Sequence, residues 1–358
     1  MENIDDILRR AVALGASDIH LKVGSAPIIR VDGDLRQDGE SGPLMPADTD
    51  AHARAIFTAK AESDFEARGV ADFAYGKQDL GRFRVTAFRQ RGSVSLVLRR
   101  VVSGSKTFAE LGLPRIIEKA ASAKSGLVLV TGSSGSGKTT TVSSIIDWIN
   151  SNRATAILTV EDPIEVLHPD KSSVVVQREV GVDTPDMASA VRSAMRHDAD
   201  VIMISELSDH ETAKAAIDAS ETGHLVISTM RTTDPAETVS RLISMFPESQ
   251  KAVVRNQLAS QLQAVISQVL VETSNGGRVM ACEVLTNNER AQEWVIAGEE
   301  ASALVDIIKE SSFHGMQTFD QALLKHVVER TVEIGTILPH VRNSHEVRAK
   351  AMAAGIAT

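Results

Sequence analysis

Five groups of residues have types and spacings that could do chemistry. "GSSGSGKT", Gly132–Thr139, fits the pattern G-x-x-x-x-G-K-[ST]. In such a loop the backbone N–H groups of Gly132, Ser133, Ser134, Gly135, Ser136 and Gly137, with the positive end of the next helix, would hold the phosphates of a nucleoside triphosphate. Lys138 would add a mobile positive charge, and Thr139, followed by Thr140, a hydroxyl for Mg²⁺. "EDPIEV" puts Glu161, Asp162 and Glu165 within one short turn. A carboxylate near a terminal phosphate can orient and deprotonate water; the same three could equally form a solvated acidic turn. "ADVIMISEL" is an apolar run ending at Glu206, either a support for Mg²⁺ or its water, or a strand-end acid facing solvent. "HLVISTMRTTD" opens on His224 and closes on a hydroxyl-rich turn, Thr229 to Thr233. A lone His beside an apolar strand is more often structural than catalytic. Finally Arg82, Arg84, Arg89, Arg91, Arg99 and Arg100 crowd one short stretch. They fit an anionic ligand, partner carboxylates, or a merely solubilising surface.

These residues need elements to position them. The apolar run Gly126–Val130 precedes the glycine loop and a helix, Thr139 to Ile149, follows, which is the context the pattern requires. Short apolar strands at 126–130, 155–160, 200–204 and 224–228 alternate with helical stretches. That texture predicts a largely parallel sheet covered by helices, with ligands at the carboxyl ends of its strands. From about residue 250 the chain reads as mostly helical, including "RNQLASQLQAVISQVLV" and "TFDQALLKHVVER". The first hundred residues differ. Ile4, Ile7, Leu8, Ala11 and Leu14 recur at helical spacing before Gly15. "SDIHLKV" alternates like a half-buried strand, Asp32-Gly33 signals a hairpin, and residues 51–66 look helical. "GRFRVTAFRQRGSVSLVLRRVV" reads as two strands meeting at Arg91-Gly92. Together these predict an α+β domain, joined through Ser103–Pro114 to the α/β part.

Composition sets outer limits. At 358 residues there is room for two domains with cores of their own. A formal charge of -9 argues against general binding to nucleic-acid backbones. One cysteine, Cys282, rules out an internal disulfide framework and a four-cysteine zinc module. No apolar run reaches the roughly 18 residues of a membrane span, and "MENIDD" does not resemble a signal peptide. A cytoplasmic location is expected, with any membrane association made peripherally through partners.

With these residues laid out, the sequence resembles the secretion ATPase superfamily, and within it the type IV pilus retraction ATPases of the PilT/PilU type. "GASDIHL" and "PIIRVDGDL" are similar to the family's opening, "GSSGSGKTTT" to its Walker A loop and "ILTVEDPIEVLH" to its Asp box. "DADVIMISELSD" is similar to its atypical Walker B motif, "ETGHLVISTM" to its His box and "HGMQTFDQAL" to its C-terminal region. The resemblance implies a PAS-like N-terminal domain (1–102), a linker (103–114), and a RecA-like ATPase domain with a helical C-terminal region (115–358). It implies a homohexamer that binds ATP and Mg²⁺ between its two domains and deforms on hydrolysis. By position, Lys138 and Thr139 would bind ATP-Mg²⁺, and Glu206 would be the Walker B acid. Glu165 would activate water, with Glu161 and Asp162 beside it. His224 would sense nucleotide, and Arg84 and Arg99 would reach the γ-phosphate. The implied partners are an inner-membrane pilus platform protein and a paralogous retraction ATPase, with no nucleic acid. The implied location is the base of the pilus machinery.

The chain also departs from the family pattern. Ser205 stands for Gly and Ser208 for Arg in "SELSD", and Arg231 stands where the His box has its second histidine. "AQEWVIAGEE" lacks the basic residues of the retraction motif. An arginine is always charged and accepts no hydrogen bond, so it cannot act as a neutral imidazole. These changes predict reduced or partner-dependent motor activity. The alternative is a ring component that binds ATP, hydrolyses it weakly and works beside an active paralogue.

Overall fold

The computed structural model describes residues 2–31 and 33–356, with the backbone alone at Val102. The chain divides into two compact units, Met1–Ser103 and Gly104–Thr358. Among the described residues no helix is long and apolar enough to cross a membrane.

In the first unit the helix Ile4–Ala13 starts where the Asn3 side chain accepts from the Asp5 N–H, and it buries Ile4, Ile7, Leu8 and Ala11. It packs with β1 (Asp18–Leu21), β2 (Ile28–Val31), β3 (Asp34–Gln37), β4 (Val70–Lys77), β5 (Gly81–Gln90) and β6 (Ser93–Ser103). These strands run antiparallel in the order β3-β2-β1-β6-β5-β4. Alternation in β1 sends Ile19 and Leu21 into the core. Val31 faces Asp34 across the first hairpin; of the Asp32-Gly33 signal, Asp32 lies outside the described residues. At the β5–β6 turn Arg91 and Gly92 both take positive φ (51° and 81°), the backbone hand that suits tight hairpins. Residues 51–66 are not one helix. Pro46–Ile56 ends at Phe57, whose ψ of 137° is extended, and Thr58 caps a second helix, Ala59–Arg68, by accepting from the Ala61 N–H. β4, "VADFAYGK", was not among the expected strands.

The second unit is built on β7 (Gly126–Thr131), β8 (Ala156–Glu161), β9 (Val166–Leu167), β10 (Val174–Glu179), β11 (Val201–Ile204), β12 (Leu225–Met230), β13 (Leu262–Glu272) and β14 (Arg278–Thr286). The sheet order is β10-β8-β11-β12-β7-β13-β14. All pairings are parallel except β13–β14. β7, β11 and β12 are buried along their whole length, as helices on both faces require. The carboxyl ends of β7, β8, β11 and β12 therefore share one edge of the sheet, where the glycine loop, Glu161, Glu206 and Thr229 begin.

The helical expectation beyond residue 250 is corrected here. The helix Glu248–Gln261 stops at Leu262, and "LQAVISQVLVE" is strand β13. It lies between β7 and β14 and is buried on both faces, so its apolar residues do not alternate. Without alternation, periodicity cannot tell such a run from a buried helix. The β-branched Val265, Ile266, Val269 and Val271 were the signal for strand. "TFDQALLKHVVER" does form a helix, Phe319–Val328, behind a Thr318 cap.

Candidate nucleotide-phosphate site

The glycine loop is shaped from behind by β13. The Thr131 and Ser267 hydroxyls hydrogen-bond at 2.7 Å, and Gln268 Nε2 donates to the Ser136 carbonyl at 2.7 Å. Gly132 has φ +149°, and a Cβ there would stand 2.4 Å from Ser136 Oγ and 2.5 Å from the Gln268 carbonyl. No side chain fits. Gly137, at φ +90°, is the N-cap of the helix Lys138–Asn152. Gly132, Ser133 and Ser136 thus build the loop's frame. Ser134, Gly135, Gly137, Lys138, Thr139 and Thr140 line a cavity of about 510 Å³, within the usual range for small-molecule sites. Lys138 Nζ donates to the Gly132 and Ser133 carbonyls, at 2.8 Å each. Burial pushes this ammonium below the usual lysine range; Glu206 opposes the shift and Arg231 adds to it.

The other strand ends complete the cavity. Glu161, Asp162 and Glu165 enter from β8, Ser205 and Glu206 from β11, and Thr229 and Arg231 from β12. Glu161 is buried, accepting from Thr159 Oγ1 at 2.6 Å and Gln177 Nε2 at 2.9 Å. The Glu165 backbone N–H also donates to it, so Glu161 supports the turn on which the exposed Glu165 stands. Burial raises the Glu161 pKa in spite of these donors. Folding therefore favours its neutral form, an advantage present at acid pH and lost as pH rises through the folded value. Glu161→Gln is accordingly expected to raise Tm at pH 7.5. The gain should be smaller at pH 4.5. Thermal melts at the two pH values decide this, and a destabilised variant at pH 7.5 would contradict it.

The donor set suits Mg²⁺. The Thr139 hydroxyl and the Glu206 carboxylate, both on the cavity wall, are hard oxygen donors. Among the described residues no group of three or more His, Cys, Asp or Glu could cage a metal by itself.

Outside the glycine loop, His224, Arg84 and Arg99 do not come from the strand ends that form this wall. His224 sits just before β12, at the amino end of a strand whose carboxyl end reaches the cavity. Six residues at roughly 3.3 Å each separate it from Met230, about 20 Å. Its Nδ1 lies 3.0 Å from the Ala219 carbonyl and 3.1 Å from Thr222 Oγ1, which ties strand to preceding helix. These contacts hold His224 at the amino end of its strand, against the preceding helix. Arg84 and Arg99 belong to the first unit, where they face each other across β5 and β6 and are exposed; Arg99 Nε donates to Asp18 at 2.8 Å.

Residues the sequence did not single out as site residues also line the wall. Arg231 was noted only as a departure from pattern, yet it pairs with Glu206: Nε lies 2.9 Å from Oε1, and Nη2 donates to Oε2 at 2.9 Å. Leu270 and Arg278 arrive from β13, in the run expected to be helical, and from β14. Only recognising the β13–β14 hairpin could have placed them.

Comparisons with known proteins place the chain in a family. The profile described as "Type II/IV secretion system protein" matches residues 1–335. The type IV pilus retraction ATPase PilT of Pseudomonas aeruginosa is 40% identical over 321 residues, covering 90% of this chain and 93% of that protein. The type IV pilus ATPase PilU of the same organism is 35% identical over 345 residues, covering 96% and 90%. A crystal structure of the pilus retraction motor PilT with bound ADP superposes with a TM-score of 0.88 at 38% identity, covering 98% of this chain and all of that one. The chain belongs to the type II/IV secretion system protein family, in which it stands with the PilT and PilU type IV pilus ATPases.

Proposed function

We propose that the protein is an ATPase that drives type IV pilus retraction, working with Mg²⁺ as a homohexameric ring at the cytoplasmic base of the pilus. The observation that carries this reading is the convergence of Lys138, Glu165 and Glu206, from three strand ends, on one cavity beside a glycine loop. Lys138, now bonded to loop carbonyls, would exchange them for β- and γ-phosphate oxygens. Thr139 and Glu206 would hold Mg²⁺, which when bound neutralises charge on the phosphates. Glu165, exposed on the wall, takes the proton of the attacking water, and Glu161 holds its turn in place. Arg84 and Arg99 would bring positive charge to the terminal phosphate, from the same or a neighbouring subunit. An inner-membrane platform protein and a paralogous retraction ATPase are the partners that fit the named relatives.

The test is steady-state hydrolysis by the purified full chain, with and without Glu165→Gln. The expected result is Mg²⁺-dependent ATP hydrolysis that falls by about 10²-fold or more in the variant, the usual worth of a general base. Equal hydrolysis by both proteins would remove Glu165 from the mechanism. A second reading, an ATP-binding ring component with weak hydrolysis, is favoured by one observation, the Arg231 guanidinium already engaged with Glu206. Near-zero rates, equal in wild type and Glu206→Gln, would select it.

A further inference from the structure

We propose that Arg231 is a resident counter-cation for Glu206, one that Mg²⁺ must displace before the acid can serve the nucleotide. This rests on the phosphate-site reading above and adds a control element to it. Nε and Nη2 both donate to Oε2, at 3.1 and 2.9 Å, and Nε lies 2.9 Å from Oε1, so the carboxylate already faces a cation. Such two-point pairing suits the planar guanidinium and no other side chain. Both partners line the cavity together with Lys138 and Thr139. The Glu206 side chain is 29% exposed and that of Arg231 70% exposed, so the arginine can swing away without unpacking the core. Arg231 also lies at the carboxyl end of β12, where its charge can move from the carboxylate to an incoming phosphate. No covalent bond would be made or broken: Mg²⁺ would take the guanidinium's place on Glu206, the Arg231 hydrogen bonds to Oε2 would be lost, and the freed Arg231 could pair with a phosphate oxygen.

Two signs follow. Removing the arginine frees Glu206 for Mg²⁺, so less Mg²⁺ is needed. It also takes positive charge from the cavity, so nucleotide free of Mg²⁺ binds more weakly. For a partly exposed pair each effect should be about two- to fivefold.

The experiment titrates Mg²⁺ into full-length protein with a fluorescent non-hydrolysable ATP analogue, N-methylanthraniloyl-AMP-PNP. Affinity is also measured in EDTA. In Arg231→Gln the Mg²⁺ concentration for half-maximal tightening should fall about two- to fivefold, and EDTA affinity should weaken. On a Glu206→Gln background the Mg²⁺ shift from Arg231→Gln should vanish, which a structural role for the arginine would not produce. An unchanged Mg²⁺ requirement, or the same shift on both backgrounds, overturns the proposal while leaving the phosphate site standing. A wild-type protein that binds no analogue with or without Mg²⁺ brings down the site reading and this inference together.

Discussion

Lys138→Ala is expected to lower turnover at least about 10²-fold, the cost of removing one donor to charge that develops on a transferring group. It should do so without harming the fold. The side chain's two hydrogen bonds run to the loop's own carbonyls, and burial already holds the ammonium below its usual range, so folding gains little from the charge. Calorimetry with ATP-Mg²⁺, a coupled hydrolysis assay and a thermal melt separate these effects. Turnover within tenfold of wild type would mean that the loop does not use Lys138 on phosphate. A large fall in Tm would mean that the lysine is mainly structural.

Arg342→Ala should produce the largest loss of stability. Arg342 Nη1 donates to Glu283 Oε2 at 2.6 Å, and the Glu283 side chain is only 1% exposed. Nη2 lies 3.5 Å from Asp234, and the backbone N–H groups of Arg342 and Asn343 both donate to Asp320. Removing one partner of a buried pair leaves the other charge unpaired, at about 3–5 kcal/mol. With Arg342 itself 35% exposed, the lower figure applies, a fall in Tm of roughly 6–10 °C. Burial already raises the Glu283 pKa, with Arg342 acting against that rise. In the variant the pKa climbs further, so the penalty should be full at pH 8 and shrink toward pH 5, as the carboxyl takes up a proton. Adding Glu283→Gln should return much of the loss. A penalty that is independent of pH and unrelieved by the second change would point to lost packing instead.

The sequence disclosed the site unevenly, for reasons that lie in the fold. β7, β8, β11 and β12 were visible because fully buried parallel strands make short unbroken apolar runs. The rule that ligands gather at carboxyl ends then pointed to Lys138, Glu165 and Glu206, which line one cavity. His224, at the amino end of its strand, rests on the family resemblance and not on that rule. β13 was lost because a strand covered on both faces has no alternation to show, and with it went Gln268 and Ser267, which hold the glycine loop. Arg231 could be seen as unusual, but its partner is 25 residues away on another strand end. Only the three-dimensional arrangement joins them.

The β13–β14 hairpin has a mechanical meaning. In the β13–β14 register Ser267 stands opposite Glu283. The first bonds Thr131 at the threshold of the phosphate loop, and the second is gripped by Arg342 near the chain's final helix. A rung of the sheet is therefore tethered at one side to the place where fuel would be consumed and at the other to the C-terminal segment. Any tug on that segment loads the loop through short, stiff bonds, with little slack to absorb it.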